Sequence, residues 1–313
     1  MSKFGSVFGP MMDAMLNYRE ALGYSRASHE RGLSSFDRYC TKNEVTDGTL
    51  AEHLVWGWLE NLIVQKRTGL STNASTIRIF GKYLSAIGQS AYILPDGLFV
   101  SKRNPKPYLF TDAELSALFY TVDRLPREAG GWSVIAPVLF RLIYTCGLRP
   151  NEGRELLRDN VNLNTGEMLI TKTKRNKERM VVMSDDMLHL CKQYANSRNP
   201  DGFFFPANGN KPFTAAQLNK LLRDCWKAAR PGVKPLPAIR VFDLRHRFAS
   251  STLNRWLDEG RDLYAMLPYL SSYMGHKTLS ETAYYIHVLP ENLVKSAGVD
   301  WAAFEGVIPE VVV

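Results

Sequence analysis

Several features that would assign a chain to a specialised class are missing from this 313-residue sequence. It has no apolar run near the ~18 residues that a membrane span requires, and its start has no apolar core of a secretion signal. Low-complexity segments are absent, and hydrophobic residues (45%) and charged residues (22%) are in ordinary globular proportion. These absences predict a cytoplasmic protein rather than a membrane, fibrous or disordered one.

Cysteine is scarce, and the four residues are Cys40, Cys146, Cys191 and Cys225. None of them stands in a C-x-x-C pair, and the later pair His276 and His287 has too few partners for a metal site. The sequence therefore predicts reduced structural thiols, with no disulfide framework and no zinc site.

The length of the chain predicts two domains with separate cores. Residues 94–110, LPDGLFVSKRNPKPYLF, concentrate proline, glycine and basic residues, as an interdomain linker does. We place the boundary near Asn104, between a domain of residues 1–103 and a second domain of residues 104–299. A C-terminal tail of residues 300–313 follows.

Apolar residues recur at helical spacing through most of the chain, as in HLVWGWLENLIV and AAQLNKLLRDCWKAA. Thr111 and Glu114 have capping-box spacing at the start of the second domain. A buried helix is predicted to end at Gly147, and another to begin at Pro150. Only GEMLITKTKRNKERMVVMS alternates as a β-hairpin does. The predicted fold class is mainly α with one small hairpin, an α+β protein.

Positive charge is in excess, with a net charge of +8 and a pI of about 9.2. Residues 1–100 hold ten basic and nine acidic side chains, so the excess belongs almost entirely to the rest of the chain. It favours a polyanionic partner such as nucleic acid, because basic surface gains affinity by displacing counterions from phosphates. Basicity alone does not identify the partner.

Two arginines are predicted near the starts of helices. Arg149 precedes the helix that begins at Pro150, and Arg245 follows Asp243, the predicted N-cap of another helix. A guanidinium there can bind a phosphate at the positive end of the helix dipole. A surface arginine that caps a turn is an equally good interpretation of Arg149 taken alone.

The predicted hairpin is rich in basic residues. A lysine in a strand, such as Lys172, can act as a general acid if neighbouring cations lower its pKa. A basic hairpin tip is more often a solvated or phosphate-tracking surface, and we interpret Lys174, Arg175, Lys177 and Arg179 in that way.

The segment MGHKTLSETAYYIHV, residues 274–288, is predicted to turn between two helices. Gly275 fits the position that ends the first helix, and Thr278 with Glu281 fits a capping box for the second. His276 would then lie in the tight turn.

The two adjacent tyrosines of this segment are not separated by helical geometry. The predicted buried stripe of the helix is Leu279, Ala283 and Ile286. Tyr284 and Tyr285, about 100° apart on the helix, flank that stripe on opposite sides. Either tyrosine could pack or react, and His287 is expected to pack or to face solvent.

Four segments occur in the order GLRPNE, TKTKRNKER, DLRHRFAS and MGHKTLSETAYYIHV. Together they resemble the tyrosine recombinases, the phage-integrase-like family, over roughly residues 105–295. That family carries an arginine in G-L-R-x-x-E, a hairpin lysine, H-x-x-R, then L-G-H and a tyrosine nucleophile. The resemblance implies a helical N-terminal core-binding domain that clamps DNA, followed by a tyrosine-recombinase catalytic domain.

The resemblance implies a role for each matching residue. Tyr285, nine residues after His276, would be the nucleophile, and Tyr284 its packing neighbour. The remaining implied assignments are Arg149 and Arg245 as phosphate-binding residues, Lys172 as general acid, His276 as phosphate hydrogen-bond donor, and Glu152 as structural support.

One position departs from the family pattern. The H-x-x-R motif calls for a histidine three residues before Arg245, and this chain has Phe242. Phenylalanine can neither accept a proton nor hydrogen-bond a phosphate oxygen. His246, which follows Arg245, is expected to be a packing residue and not a replacement.

The resemblance also implies the partners and the reaction. Strand exchange on double-stranded DNA, at inverted repeats, would proceed in a tetrameric synapse without metal or other cofactor, and the tail would dock on a neighbour or pack in cis. The expected DNA contacts are Lys102, Arg103, Lys106, Lys174, Arg175 and Lys177. The segment around Tyr285 looks like recombinases of mobile elements. Two alternatives are a type IB topoisomerase and, because of Phe242, a DNA-binding architectural protein that does not cut.

Overall fold

The computed structural model describes residues 3–99, 107–126, 131–171, 178–198 and 200–287. The chain divides into two compact units, Met1–Pro105 and Lys106–Val313. The predicted boundary at Asn104 lies outside the described residues.

The first unit consists of helices packed around a core of aliphatic and aromatic residues. Its helices are α1 (Gly9–Ala21), α2 (Ala27–Lys42), α3 (Glu52–Val64) and α4 (Leu70–Ala86). Phe36 and Trp58 meet edge to face, with ring centroids 5.3 Å apart, and both are buried. The carboxylate of Asp37 accepts the backbone N–H groups of Gly5 and Ser6, so it fixes the segment before α1 on α2.

The second unit is mainly helical with two short antiparallel strand pairs. Its helices are α5 (Asp112–Asp123), α6 (Trp132–Thr145), α7 (Pro150–Arg154), α8 (Asp185–Arg198), α9 (Ala215–Ala229), α10 (Val241–Asp258), α11 (Leu263–Met274) and α12 (Leu279–His287). The strands are β1 (Glu167–Ile170) with β2 (Arg179–Val182), and β3 (Pro206–Ala207) with β4 (Lys211–Pro212).

The predicted fold class is confirmed for the described residues, and so is the hairpin, in which Glu167 pairs with Val182 and Ile170 with Arg179. Three elements are additions to the sequence analysis: strands β3 and β4, which pair with each other, and helix α8. Helix α8 buries Met187, Cys191 and Tyr194 at helical spacing, with polar residues between them.

The helix starts agree with the predictions in one case and differ in another. Thr111 and Glu114 form the predicted capping box of α5. The predicted N-cap Asp243 is wrong, because α10 begins at Val241 after the N-cap Arg240. Asp243 lies one turn inside the helix, where its carboxylate accepts the Arg240 backbone N–H at 2.7 Å.

Helices α11 and α12 meet at Gly275, which ends α11 in the left-handed region at φ 66° as predicted. At the start of α12, the Glu281 carboxylate accepts the N–H of Lys277 rather than the predicted N–H of Thr278. The predicted buried stripe is also wrong at its first position, because Leu279 is half exposed. Thr282 and Tyr285 are buried instead, three residues apart on one face.

All four cysteines are buried free thiols, in agreement with the sequence analysis. Within the described ranges, no helix is both long enough and apolar enough to cross a membrane.

Candidate active site

A buried carboxylate, Glu152, lies at the centre of the site. The short turn GLRPNE places it one helical turn after Arg149, whose backbone N–H it accepts at 2.8 Å. Arg149 Nη1 donates to Glu152 Oε1 at 2.7 Å, and Arg149 Nη2 donates to the carbonyl of Gly275 at 2.6 Å. Arg149 is therefore anchored both to its own helix and to the turn after α11.

Glu152 also binds Arg179, the first residue of β2. Arg179 Nη1 and Nη2 donate to the two carboxylate oxygens at 2.9 and 2.7 Å. The interpretation of Arg179 as hairpin-tip surface is therefore wrong, since its side chain is only 10% exposed. Burial raises the pKa of the Glu152 carboxyl, but the hydrogen bonds and charge of Arg179, with the bonds from Arg149, outweigh this and lower it to about 2.

Arg245 lies on α10 and is fully buried. Its Nη1 donates to the carbonyl of Gly147 at 2.7 Å, and its Nη2 to the carbonyl of Met274 at 2.8 Å. Gly147 has φ 60°, and a Cβ there would lie 2.4 Å from the ring of Phe248, so glycine is the residue that fits this position. Burial and the nearby charge of Arg149 lower the pKa of Arg245 to about 10.

His276 joins Arg245 to α12. Arg245 Nη2 donates to His276 Nε2 at 2.9 Å, and His276 Nδ1 lies 2.7 Å from the hydroxyl of Thr282. Because a guanidinium only donates, Nε2 accepts and Nδ1 carries the proton. Burial, then the charges of Arg245 and Arg149, lower the pKa of His276 to about 3, so the ring is neutral at neutral pH.

The two adjacent tyrosines lie in different environments. Tyr285 is 3% exposed and Tyr284 is 45% exposed. The ring of Tyr285 is stacked on that of His276, with centroids 6.1 Å apart. Burial raises the pKa of Tyr285, while the charge and hydrogen bond of Arg245 oppose that rise. Tertiary packing therefore brings Tyr285, and not Tyr284, to the arginines.

The ring of Phe242 contacts His246, with centroids 4.9 Å apart, and the ring of His246 contacts Tyr285 at 5.4 Å. His246 Nδ1 is buried and has no hydrogen-bond partner. Burial lowers the pKa of His246 to about 4, so this ring is neutral as well. The contact agrees with the expected packing role of His246 and shows that it packs on Tyr285.

Several predicted site residues lie outside the described residues. They are Lys172, Lys174, Arg175 and Lys177 of the hairpin, and Lys102, Arg103 and Lys106 of the linker. The side chain of His287 and the tail of residues 300–313 also lie outside.

Sequence reasoning missed two residues of the site, Arg179 and Thr282. Alternation along β2 could have found the first, since Arg179 lies two residues before the buried Val181 and so on the same face of the strand. For Thr282, the signal is its place three residues before Tyr285 on α12.

Comparison with known proteins identifies the family to which the sequence belongs. The sequence matches the Phage integrase family over residues 111–292. The chain belongs to the phage integrase family, the tyrosine recombinases. The predicted family is thereby confirmed, and with it the enzyme class, because tyrosine recombinases are DNA strand-transferring transesterases.

Two relatives of this tyrosine recombinase match nearly the whole chain. The tyrosine recombinase XerD of Rhizobium meliloti (strain 1021) is 33% identical over 297 residues, which are 90% of each chain. A putative integrase/recombinase, y4rE, of Sinorhizobium fredii (strain NBRC 101917 / NGR234) is 28% identical over 300 residues, 91% of this chain and 93% of the relative.

Solved structures show the same fold at low sequence identity. XerH bound to its difH substrate, in a pre-cleavage complex, has a TM-score of 0.60 and 18% identity, over 86% of this chain and 78% of that chain. The Tn1549 transposon integrase in complex with circular intermediate DNA has a TM-score of 0.61 and 13% identity, over 88% and 94%.

Proposed function

We propose that this protein is a site-specific DNA recombinase or integrase of the mobile-element type, which cuts and rejoins strands through a covalent 3′-phosphotyrosyl intermediate at Tyr285. One observation carries the proposal. Arg149, Arg245, His276 and Tyr285 come from three distant motifs and form one cluster. Glu152 lies close to Arg149 and Arg245, Arg245 binds His276, and the ring of His276 stacks on Tyr285.

The charges of the site suit a phosphodiester. Three guanidinium groups, Arg149, Arg179 and Arg245, surround the single carboxylate of Glu152, with Arg245 Nη1 4.0 Å from Glu152 Oε2. The excess positive charge would stabilise the additional charge that develops on phosphorus oxygens in the transition state. An anion bound here would also raise the pKa of His276, because it favours the protonated ring as a hydrogen-bond donor.

In the proposed reaction Tyr285 loses its hydroxyl proton to water, its oxygen attacks a DNA phosphorus, and the bond from phosphorus to the 5′ oxygen breaks. The 3′ end stays on the tyrosine, and Lys172 delivers the proton that makes the departing oxygen a 5′-hydroxyl. Rejoining reverses these steps with another strand. Because Tyr285 is almost fully buried, we infer that DNA binding also exposes its hydroxyl.

The first unit is proposed to bind the duplex as the core-binding domain. An open groove in it is lined by the exposed basic residues Arg31, Arg38, Lys42 and Arg67. Arg31, Arg38 and Lys42 lie on one face of α2, since they are spaced by seven and then four residues. With Lys102, Arg103 and Lys106 of the linker and the basic hairpin, these residues would contact phosphates and set the position of the protein.

The assignment to mobile elements and the assembly on DNA are part of the proposal. One neighbouring structure is a transposon integrase with circular intermediate DNA, and another is a lambda integrase dimer bound to a core site. We propose that this chain also assembles on DNA, at inverted repeats, as a tetramer in which the tail of residues 300–313 docks on a neighbour.

The nucleophile is tested with a nicked duplex that traps the cleaved strand. We expect wild-type protein and Tyr284→Phe to form a covalent protein–DNA adduct, and Tyr285→Phe to form none, because only Tyr285 lies beside Arg245 and His276. Denaturing gel electrophoresis measures the adduct. An adduct in Tyr285→Phe, or its absence in wild type, would contradict the proposal.

The general acid is tested by comparing Lys172→Ala with Lys174→Ala. We expect Lys172→Ala to slow cleavage by about 10²-fold, the lower range for loss of a positioned acid, and Lys174→Ala to weaken DNA binding with little effect on cleavage. A duplex with sulfur in place of the departing 5′ oxygen should restore Lys172→Ala, since a thiolate leaves without a proton. The opposite result would assign the acid to Lys174.

Phe242 favours a second candidate, an architectural protein that binds DNA without cutting it. It replaces the histidine that the family motif has at this position, and its ring packs on His246. Sequence-specific binding by wild-type protein without any adduct would support this candidate.

A further inference from the structure

We propose that Arg179 is a positioning residue of the active site, which holds Arg149 and the turn of His276 in place by way of Glu152. The inference rests on the proposed function, because the reaction that it supports is strand cleavage by Tyr285. It gives the β2 strand a part in the site that is independent of the basic residues before it.

The contacts of Arg179 join three segments of the second unit. Its two terminal nitrogens bind both oxygens of Glu152, in the turn that carries Arg149. Its Nε donates to the carbonyl of Tyr273, in the last turn of α11, at 2.8 Å. A planar fork with a third donor is what arginine has and lysine lacks.

Arg179 also packs directly on the turn that presents His276. A Cβ built on Gly275 would lie 3.0 Å from Arg179 Nη1 and 3.1 Å from its Cδ, so the bare glycine lets the two meet. The carbonyl of the same glycine accepts Arg149 Nη2. The turn is therefore held by one arginine along its surface and by another at its carbonyl.

Glu152 explains how Arg179 would affect residues that touch the phosphate. Without Arg179, the ionised carboxylate would keep only the bonds from Arg149, with Arg245 at 4.0 Å. A buried carboxylate that has lost two hydrogen-bond donors attracts the remaining guanidinium groups more strongly. Arg149 and Arg245 would then turn toward Glu152 and away from the phosphate.

The second unit offers a matched control in Arg141. Arg141 binds both oxygens of Asp123 at 2.6 and 2.7 Å, and its Nη1 donates to the carbonyl of Pro137 at 3.0 Å. It therefore makes the same kinds of contact as Arg179 but with a carboxylate that belongs to no proposed part of the site.

The experiment measures single-turnover cleavage of the nicked duplex, with protein in excess, for Arg179→Met, Arg179→Lys and Arg141→Met. We expect both Arg179 variants to lower the rate constant by on the order of 10²-fold, as small misplacements of positioning groups do. Their Kd for the intact duplex should stay within about twofold, because phosphate contacts spread over both units dominate affinity. Arg141→Met should cleave at nearly the wild-type rate.

Folding is separated from positioning by thermal unfolding of the same variants. Should Arg179→Met not fold, Arg179→Lys decides the question, since it retains the charge and loses only the fork. A wild-type rate constant in folded Arg179→Lys would overturn the inference.

Two further readouts distinguish positioning from a general loss of structure. In a Glu152→Gln background, Arg179→Met should lower the rate by much less than in wild type, because both changes break the same link. On a duplex with a neutral methylphosphonate at the cleaved position, the deficit of Arg179→Met should shrink, since less charge remains for Arg149 to stabilise. Full additivity, or an unchanged deficit, would overturn the role through Glu152.

The outcomes also separate this inference from the proposed function. No adduct from wild-type protein overturns both. An adduct from wild type, with Arg179 variants that cleave as fast as Arg141→Met, overturns only the role of Arg179.

Discussion

At the scale of single residues, the environment of a side chain decides what it can do in this site. His276 and His246 are both buried, neutral histidines beside Tyr285, yet only His276 has its two nitrogens engaged, by Arg245 and Thr282. A ring fixed on both sides has a defined direction for its lone pair and its proton. The ring contacts of His246 fix its position, but no hydrogen bond at Nδ1 determines which of its nitrogens carries the proton.

Phe242→His tests the departure from the family motif. We expect this variant to bind DNA as wild type does and to cleave as fast or faster, because the histidine restores a hydrogen-bonding ring at half-buried position 242. Adduct formation on the nicked duplex and the Kd measure the two effects. Phe242→Leu, which keeps an apolar side chain, is the control for packing.

Failure of Phe242→His to fold would show that position 242 serves the core through its contact with His246. Cleavage that falls below wild type in a folded protein would contradict the prediction.

Glu152 makes stability sensitive to acid. Its pKa is lowered from 4.5 to about 2 in the folded protein, so the unfolded chain binds a proton first as pH falls. This contribution is fully present above about pH 5 and is lost as pH falls through 4.5 toward 2, by on the order of 3 kcal/mol in total. Urea unfolding at a series of pH values measures it.

Glu152→Gln is expected to be less stable than wild type at pH 7, because both arginines lose their carboxylate. Its stability should vary less between pH 5 and pH 2. Parallel curves for the two proteins would refute the assigned pKa.

At the scale of elements, the ends of helices set the positions of the proposed catalytic side chains. Arg149 is the N-cap of α7, His276 follows the left-handed glycine that ends α11, and Tyr285 lies in the second turn of α12. Short connections between these elements leave little freedom to the side chains that they carry. A shift of the end of α11 or of the start of α12 would therefore displace His276 and Tyr285 together.

Asp262 is the cap that begins α11, and its carboxylate accepts the N–H groups of Tyr264 and Ala265. Asp262→Ala should lower the free energy of unfolding by about 1 kcal/mol, the usual cost of losing such a cap. Asp262→Asn keeps an acceptor and should cost much less. Chemical denaturation of the three proteins checks this, and an equal loss in both variants would contradict the capping role.

At the scale of the whole molecule, the chain consists of two units with separate cores and a net charge of +8. The family match covers residues 111–292, which lie in the second unit, and the XerD relative matches 90% of the chain. The charge of the first unit is nearly balanced over residues 1–100. Four of its basic residues, Arg31, Arg38, Lys42 and Arg67, nevertheless line one groove, which we propose as the DNA-binding surface.

The affinity for DNA should therefore fall as the salt concentration rises, and each basic residue of the groove should contribute to that dependence. We expect the logarithm of the association constant to fall linearly with the logarithm of salt concentration. Arg31→Gln and Arg38→Gln should each reduce the slope by about one. Lys82→Gln is the control, because Lys82 lies outside the groove and close to Asp96. Equal slopes in all variants would exclude the groove as the binding surface.

Much of the fold could be predicted because secondary structure depends largely on residues that are close together in the sequence. Helical periodicity, the capping box of Thr111 and the hairpin alternation depend on residues a few positions apart, and all three are observed. The helix α8 and the β3–β4 pair carry weaker local signals and were not predicted. Asp243 failed as a predicted N-cap because a carboxylate suits both the cap and the first turn of a helix.

The sequence by itself determined the family, the order of the motifs and the spacing that singles out Tyr285. The number of residues between two motifs is a property of the sequence and does not depend on the fold. Only the tertiary structure decided that Tyr285 is buried beside Arg245 while Tyr284 is exposed, and that Arg179 turns inward to Glu152. The physical reason is the same in both cases. An isolated helix or strand does not determine which of its faces is buried. Packing against elements that are distant in the sequence decides this.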